Sequence, residues 1–323
     1  MLSARLLQKL SEDERLPSRS RELFIRSAAI APTPGNGLLS AASPGHEIRV
    51  WDCDGNETLP GTLIDISASR DDVALRVTNT SAKLLLFWKS IFGRDSIDDR
   101  GCSVDSSIHF SRGYCNASWS DGRMIYGDGD GYLFTDFTRS TDFIGHEITH
   151  GITECESALG YQDEYGALNE SVSDVFGSIF RQWVANETAD SATWLIGADL
   201  LTPKANSLGW RCIRDMAVPQ APHCISPQGS NYSQYIPGGD PHYNSGIPNF
   251  AFYLAAVAVG GHTWEKLGII WYRTLCSSVV GRKCTFSTFA NETVRKALQL
   301  FPSEKKLPSI LKHAWAQAGI TTH

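Results

Sequence analysis

Apolar and polar positions divide this chain into two differently patterned halves. Beyond Asp142 the apolar positions recur at helical spacing and predict helices over 142–155, 166–185, 246–259, 263–276, 286–300 and 307–317. Residues 3–29 also read as helical, anchored by Leu6, Leu7, Leu10, Leu23, Phe24 and Ile25, with Pro17 breaking the stretch in two. APTPGNGLLSAASPG follows at residues 31–45. It is nearly uncharged and rich in Pro, Gly, Ser and Ala, which is linker composition and a place for proteolytic nicking. From Glu47 to Asp52 the pattern alternates, with Ile48 and Val50 apolar, and a turn is expected at Cys53–Gly55. Further strands are expected near Gly61–Ile66 and Ser107–Tyr114, with a helix over 82–92 between them. The Gly and Asp residues of YGDGDGYLF, 126–134, favour tight turns; without the rest of a calcium loop, Asp128 and Asp130 read as turn residues rather than ligands. The expected plan is α+β, with no internal repeat. Residues 1–45 are a leading segment and linker, 46–155 a β-rich N-terminal lobe ending in a central helix, and 156–323 an α-helical C-terminal lobe.

Composition narrows the function classes. The 323 residues are 42% hydrophobic and 20% charged, ordinary for a globular protein of two lobes. No stretch of about 18 apolar residues occurs, so no membrane span is expected. The net charge of −6 argues against nucleic acid as a partner. Residues 1–30 hold six Lys/Arg against four Asp/Glu, a net of +2, which leaves −8 on the remainder. A basic segment beside an acidic body suits docking on that body; the alternative is a solvated terminal helix. Arg5 and Lys9 interrupt the N-terminal apolar pattern before a secretory core forms. Eight cysteines nevertheless favour an extracellular setting over a cytoplasmic one. Cys102 with Cys115, Cys212 with Cys224, and Cys276 with Cys284 are close enough in sequence to close loops; eight buried thiols are the alternative. Sequons at Asn56, Asn79, Asn116, Asn169, Asn186, Asn231 and Asn291 do not settle the compartment.

The strongest chemical signal is His146-Glu147-Ile148-Thr149-His150. Two histidines four apart on a helix share one face, so both can reach one zinc ion at about 2.0–2.1 Å. Glu147 is rotated off that face, toward a water rather than the metal. Phe143, Ile144 and Ile148 would bury the helix around the motif, against the bland reading of a solvated face. Catalytic zinc takes three protein ligands and keeps one position open. GALNESVSD at 166–174 supplies a second acidic helix, on which Glu170 and Asp174 share a face. Packed antiparallel on the first, it would place Glu170 as third ligand. Asp174 could then accept a hydrogen bond from His146 and fix its tautomer. The plainer reading is a capping or surface carboxylate pair.

HEITHG, GALNESVSDVFG and NSGIPNFAFYLAA, in that order, resemble the thermolysin family of zinc metallopeptidases. The IRVWD…LPGTLI start and the IPN sequence resemble its protealysin-like branch. The similarity covers roughly residues 46–318, with a weaker echo in the leading segment. It implies a two-lobed fold joined by the zinc helix, with His146, His150 and Glu170 as ligands and Glu147 as base. Asn169 and Asp174 would support the histidines, and Tyr161 and His242 would donate to the oxyanion. Asn116, Ala117 and Arg214 would hold the substrate backbone. Phe134, Phe137, Phe143, Ile196, Leu200 and Ile213 would build the apolar pocket for the residue after the cut, although each alone reads as core. The implied activity is endopeptidase cleavage on the amino side of bulky apolar residues, by a monomer made with a short inhibitory prosegment.

The sequence departs from the family in several places. The aspartate that normally stands five residues before the catalytic histidine is Pro237 here, which leaves Asp240, in a rearranged loop, as the substitute on offer. Of the paired calcium site Asp142 remains, while Arg181, Thr193, Leu195 and Ala198 take the other places. A guanidinium and aliphatic groups cannot bind a hard dication, so that site reads as lost. Ser118 stands where an aromatic is usual. Ser3-Ala4 stand near the place of the branch's Pro-Pro. Two other functions compete. A non-enzymatic zinc binder would require loss of Glu147 or of the open position. An exopeptidase would need a group that captures a free N-terminus, and none is found.

Overall fold

The computed structural model describes residues 2–30 and 47–323. The linker and its expected cleavage site therefore lie outside the described residues. The chain forms two compact units, residues 1–151 with 197–212, and residues 152–196 with 213–323.

The first unit opens with two helices, α1 (Ala4–Ser11) and α2 (Ser18–Ile30). The Ser3 hydroxyl caps α1 by accepting from Leu6 N–H at 3.1 Å, and Pro17 separates the pair as expected. Leu2, Leu7 and Phe24 are fully buried, and Leu6, Leu10 and Leu16 nearly so. Each such side chain contributes about 1.5–3 kcal/mol, so the segment is docked rather than solvated. It meets the unit directly. Phe24 packs edge-on against Phe134 with centroids 6.0 Å apart. Cys115 N–H donates to Ser27 Oγ at 2.9 Å, and the Arg15 guanidinium lies 5.0 Å from the Trp210 ring.

A five-stranded sheet follows, built from β1 (Ile48–Asp52), β2 (Thr62–Leu63), β3 (Val104–Ile108), β4 (Ala117–Ser120) and β5 (Arg123–Tyr126), in the order β2-β1-β3-β5-β4. β1 is parallel to β3, and β3 to β5, while β4 closes an antiparallel hairpin with β5. Asp121 and Gly122 turn that hairpin, both left-handed, with φ of 50° and 73°. The segments expected near Gly61–Ile66 and Ser107–Tyr114 prove shorter or earlier than their patterns suggest. α3 (Asp72–Phe87) begins ten residues before the expected helix, because Asp71 caps it by accepting from Val73 and Ala74 N–H. It passes into a π-helical turn, Trp88–Phe92, that ends at left-handed Gly93.

α4 (Thr141–Glu156) carries the histidine pair. Phe143 and Ile144 are fully buried on it and Ile148 nearly so, as the motif's flanks predict. Gly151 permits close approach: a Cβ there would come within 2.7 Å of the Trp119 ring and 2.9 Å of Ile97.

The second unit is helical, built on α5 (Asp163–Ala185), which is buried along Gly166–Phe180 and ends at left-handed Asn186. A two-stranded ribbon, β6 (Leu195–Ile196) with β7 (Arg214–Asp215), joins it; α6 (Pro203–Ser207) belongs to the first unit. Then come α7 (Pro241–Asn244), α8 (Gly246–Val259), α9 (Leu267–Leu275), α10 (Phe286–Leu300) and α11 (Leu307–Gln317). Trp271 anchors their core, stacked on Trp315 and edge-on to Phe252. No helix among the described residues is long and apolar enough to cross a membrane.

Cysteine pairing needs correction. Cys102 and Cys115 are separate thiols; Cys102 Sγ lies 3.5 Å from Ser96 Oγ and Cys115 Sγ donates to Gly113 O at 3.3 Å. Cys284 is also a thiol, directed at Thr285 O 3.5 Å away, and closes no loop with Cys276. Short separation in sequence does not set the direction of Cβ, which decides whether a bridge can form. Cys212 and Cys224 are both buried, with no disulfide between them.

Candidate metal centre

His146 and His150 sit one turn apart on α4, both buried. Their Nε2 atoms are 3.0 Å apart. Two nitrogens bound tetrahedrally to one zinc would stand about 3.3 Å apart, so the rings already converge on one point. A carboxylate oxygen of Glu170, on α5, completes a group whose ligand atoms all lie within 4.8 Å of one another. Two imidazoles and one carboxylate are a donor set of catalytic zinc, with one position left open. Phe143 stacks on the His146 ring at 6.0 Å and excludes water from that side.

Glu147 is fully buried beside the histidines. The N–H of Trp119, on edge strand β4, donates to its Oε2 at 3.0 Å. Burial pushes this carboxyl up, but the positive charge of the chain's amino terminus, then of His146 and His150, outweighs burial and holds it below the usual value.

Asn116 immediately precedes β4 and is fully buried. Its side chain forms a two-way link with the main chain of Leu2. Leu2 N–H donates to Asn116 Oδ1 at 2.8 Å, and Asn116 Nδ2 donates to Leu2 O at 3.1 Å. Ala117 is buried in β4. Phe134, Phe137 and Phe143 form a chain of ring contacts, 5.7 and 6.1 Å between centroids. They and Leu200 are fully buried in the first unit, while Ile196 and Ile213 are buried in the second.

In the second unit, Arg214 clasps Asp174 with two hydrogen bonds, Nε to Oδ2 at 2.9 Å and Nη2 to Oδ1 at 2.6 Å. Asn249 Nδ2 adds a third at 2.9 Å. Asn169 Nδ2 donates to Leu159 O at 2.9 Å. Tyr161 is half-buried just ahead of α5. His242 Nε2 lies 3.2 Å from Glu170 Oε2, and its Nδ1 lies 3.0 Å from Asp240 Oδ1.

Three contacts here escaped sequence reasoning: the Trp119 N–H on Glu147, Leu2 on Asn116, and Asn249 on Asp174. Asn249 lies within NSGIPN, so the motif itself held that signal. The other two arise from main-chain groups, which no side-chain pattern reports.

Asp142 accepts from Ser140 Oγ and from Gly197 N–H. Arg181 reaches Glu187 at 3.5 Å and Thr193 O at 3.3 Å. Asp130 accepts from Tyr132, Leu133 and Phe134 N–H, which makes it a turn residue.

A buried His-Glu-x-x-His helix, with a carboxylate that could join the two histidines around a metal ion, points to a class of metallopeptidase, and the comparisons specify which. The chain matches the thermolysin metallopeptidase catalytic domain over residues 56–154 and the thermolysin metallopeptidase alpha-helical domain over residues 157–320. It is 35% identical to an extracellular metalloprotease of Pectobacterium carotovorum subsp. carotovorum, over 98% of this chain and 93% of that protein. It is 39% identical to protease PrtS of Photorhabdus sp. (strain Az29), over 84% of this chain and 76% of that one. The solved precursor of protealysin, a metalloproteinase from Serratia proteamaculans, superposes with a TM-score of 0.88 at 34% identity, over 99% of each chain. The chain therefore belongs to the thermolysin family of metallopeptidases. It is a peptide hydrolase of protealysin-like type, with the α+β fold expected from its sequence.

Proposed function

We propose that this protein is a zinc endopeptidase that cleaves on the amino side of bulky apolar residues, and that residues 1–45 are an inhibitory prosegment. The carrying observation is the convergence of His146, His150 and Glu170, with Glu147 buried beside the histidines. Zinc held by His146, His150 and Glu170 would supply Lewis acidity for a carbonyl and for a water, whose pKa such an ion lowers from 15.7 to about 7. Glu147, oriented by Trp119 N–H, takes the proton of the attacking water and passes it to the leaving amine. Tyr161 and His242 donate to the oxyanion. Asn116 and Ala117 hold the substrate backbone, as does Arg214, fixed by Asp174. Asn169 and Asp174 support the ligand helix pair. Phe134, Phe137, Phe143, Ile196, Leu200 and Ile213 supply the apolar pocket.

Leu2 supports the prosegment reading. Asn116 binds its main chain through both amide groups, as it would bind a substrate peptide. Peptides and proteins are the proposed substrates. The relative named an extracellular metalloprotease supports an extracellular setting.

The test is a pair of variants. Glu147→Gln should retain stoichiometric zinc while hydrolysis of a blocked internal peptide falls by roughly 10²–10⁴-fold. Glu170→Ala should lose zinc on dialysis, because two imidazoles alone leave the ligand set incomplete. Near-native turnover by zinc-loaded Glu147→Gln would overturn the assignment of the base.

A further inference from the structure

We infer that Asp240 is the positioning residue of His242, acting from a helix cap. This rests on the donor role given to His242 above. Asp240 precedes the short helix α7, whose first residue is Pro241, a position that suits proline's fixed φ. One carboxylate oxygen of Asp240 does two things. Oδ1 accepts from the main-chain N–H of His242 at 3.0 Å, and it stands 3.0 Å from Nδ1 of the same residue's ring. Backbone and imidazole of His242 are therefore fixed to a single atom. With Nδ1–H donated there, the rotation of the ring is set and Nε2 faces the Glu170 carboxylate, 3.2 Å away. Both side chains of the pair are shielded, His242 at 13% exposure and Asp240 at 15%. A hydrogen bond of that kind is little weakened by solvent.

The surrounding loop makes this geometry rigid. Asn244 staples it through both amide groups, accepting from Ile236 N–H at 3.0 Å and donating to Ile236 O at 2.9 Å. Asp163, the first residue of α5, accepts from Gly238 N–H at 3.0 Å. Glu164, its neighbour, accepts from Tyr232 hydroxyl at 2.8 Å. The loop is thus tied to the helix that carries Glu170, seven residues after Asp163. Gln228 Nε2 donates to His242 O at 2.6 Å and holds the main chain from the other side. Pro237, by contrast, has no side-chain group that could orient an imidazole. The orienting carboxylate comes from two residues before the histidine, and a capped turn delivers it.

The experiment separates the cap from the ring contact. Asp240→Ser keeps an oxygen able to cap α7, but its shorter side chain gives up the ring. Asp240→Asn keeps acceptors for both groups without the charge. In the zinc-loaded enzyme expressed as the full chain, Asp240→Ser should lower kcat on a blocked internal peptide by about 10–100-fold, part of the ~10²–10³-fold attached to one oxyanion donor. KM should stay within about threefold, since the lost interaction belongs to the transition state. Asp240→Asn should recover most of the rate. In a His242→Ala background, Asp240→Ser should cost nothing further. An unchanged kcat for Asp240→Ser, or an equal fall in the His242→Ala background, overturns the proposal while the endopeptidase reading stands. If His242→Ala itself leaves kcat unchanged, the donor role of His242 falls and this proposal falls with it.

Discussion

His109 illustrates how much one titrating side chain can carry outside the metal centre. It directly follows β3 in a left-handed conformation, φ 51°, with Nδ1 2.8 Å from Asp128 and Nε2 3.0 Å from Asp71. Asp71 caps α3, and Asp128 belongs to the turn that leads to Phe134. The Asp128 hydrogen bond, opposed by burial and assisted by Asp71, raises the His109 pKa to about 9. The folded value lies above the unfolded 6.5, so the stabilisation is complete below about pH 6.5 and is lost as pH rises through about 9. Its size is on the order of 3 kcal/mol at most. His109→Asn suits the left-handed backbone but carries no charge. Its melting temperature should fall below that of the wild type at pH 6, and the gap should close above pH 9. A gap of constant size across that range would show that His109 does not hold a proton between the two aspartates. Within the metal centre, side-chain chemistry was legible because spacing on one helix dictates geometry. Four residues bring His150 back over His146, whatever surrounds them. The Leu2 and Trp119 contacts were not legible, because a main-chain amide looks the same in every residue.

Elements differed in how clearly their sequences announced them. The helices at 246–259, 286–300 and 307–317 appear with the expected bounds. Their ends carry local signals: Thr285 caps α10, and Gly260 and Gly261, both left-handed, stop α8. The sheet was harder to read. β3, VDSSI, is buried on both faces, so it has no alternation, and its polar residues hide it. The β4–β5 hairpin was missed although Asp121-Gly122 is a strong turn signal. Its strands are only four residues each, too short for a pattern to stand out. The α1–α2 pair was legible from its leucines and Pro17, and its docking gives an element-scale prediction. In the Glu147→Ala background, the full chain should bind a peptide-like inhibitor more weakly than a form lacking residues 1–45. Cleavage within residues 31–46 should restore binding. A tether at roughly millimolar effective concentration is enough to keep such a segment in place. Equal affinity in the two forms would remove the inhibitory role. Phe24→Ala in the full chain offers an intermediate case, since it deletes the edge contact with Phe134 while leaving Leu2 on Asn116.

At the scale of the whole molecule, we propose that protein groups stand where the family resemblance implies a paired calcium site. Arg181 occupies a place where the family resemblance implies a calcium ligand, and its guanidinium meets Glu187 and Thr193 O within the second unit. A fixed cation on the chain thus serves acceptors in that unit. Asp142, the one acidic residue retained, is engaged in the first unit by Ser140 and by Gly197 N–H. Both of its oxygens accept from protein donors. Leu195 and Ala198 offer no side-chain oxygen to a hard ion. Calcium would stabilise the folded state only through a site it binds there, by mass action. Removing it with a selective chelator, zinc being buffered at its working level, should therefore shift the melting temperature by less than about 2 °C, under about 1 kcal/mol for a chain of this size. Arg181→Ala should lower it in either condition, because Glu187 and Thr193 O lose their partner whether or not calcium is supplied. A fall of 10 °C or more on chelation alone would mean that a calcium site persists around Asp142.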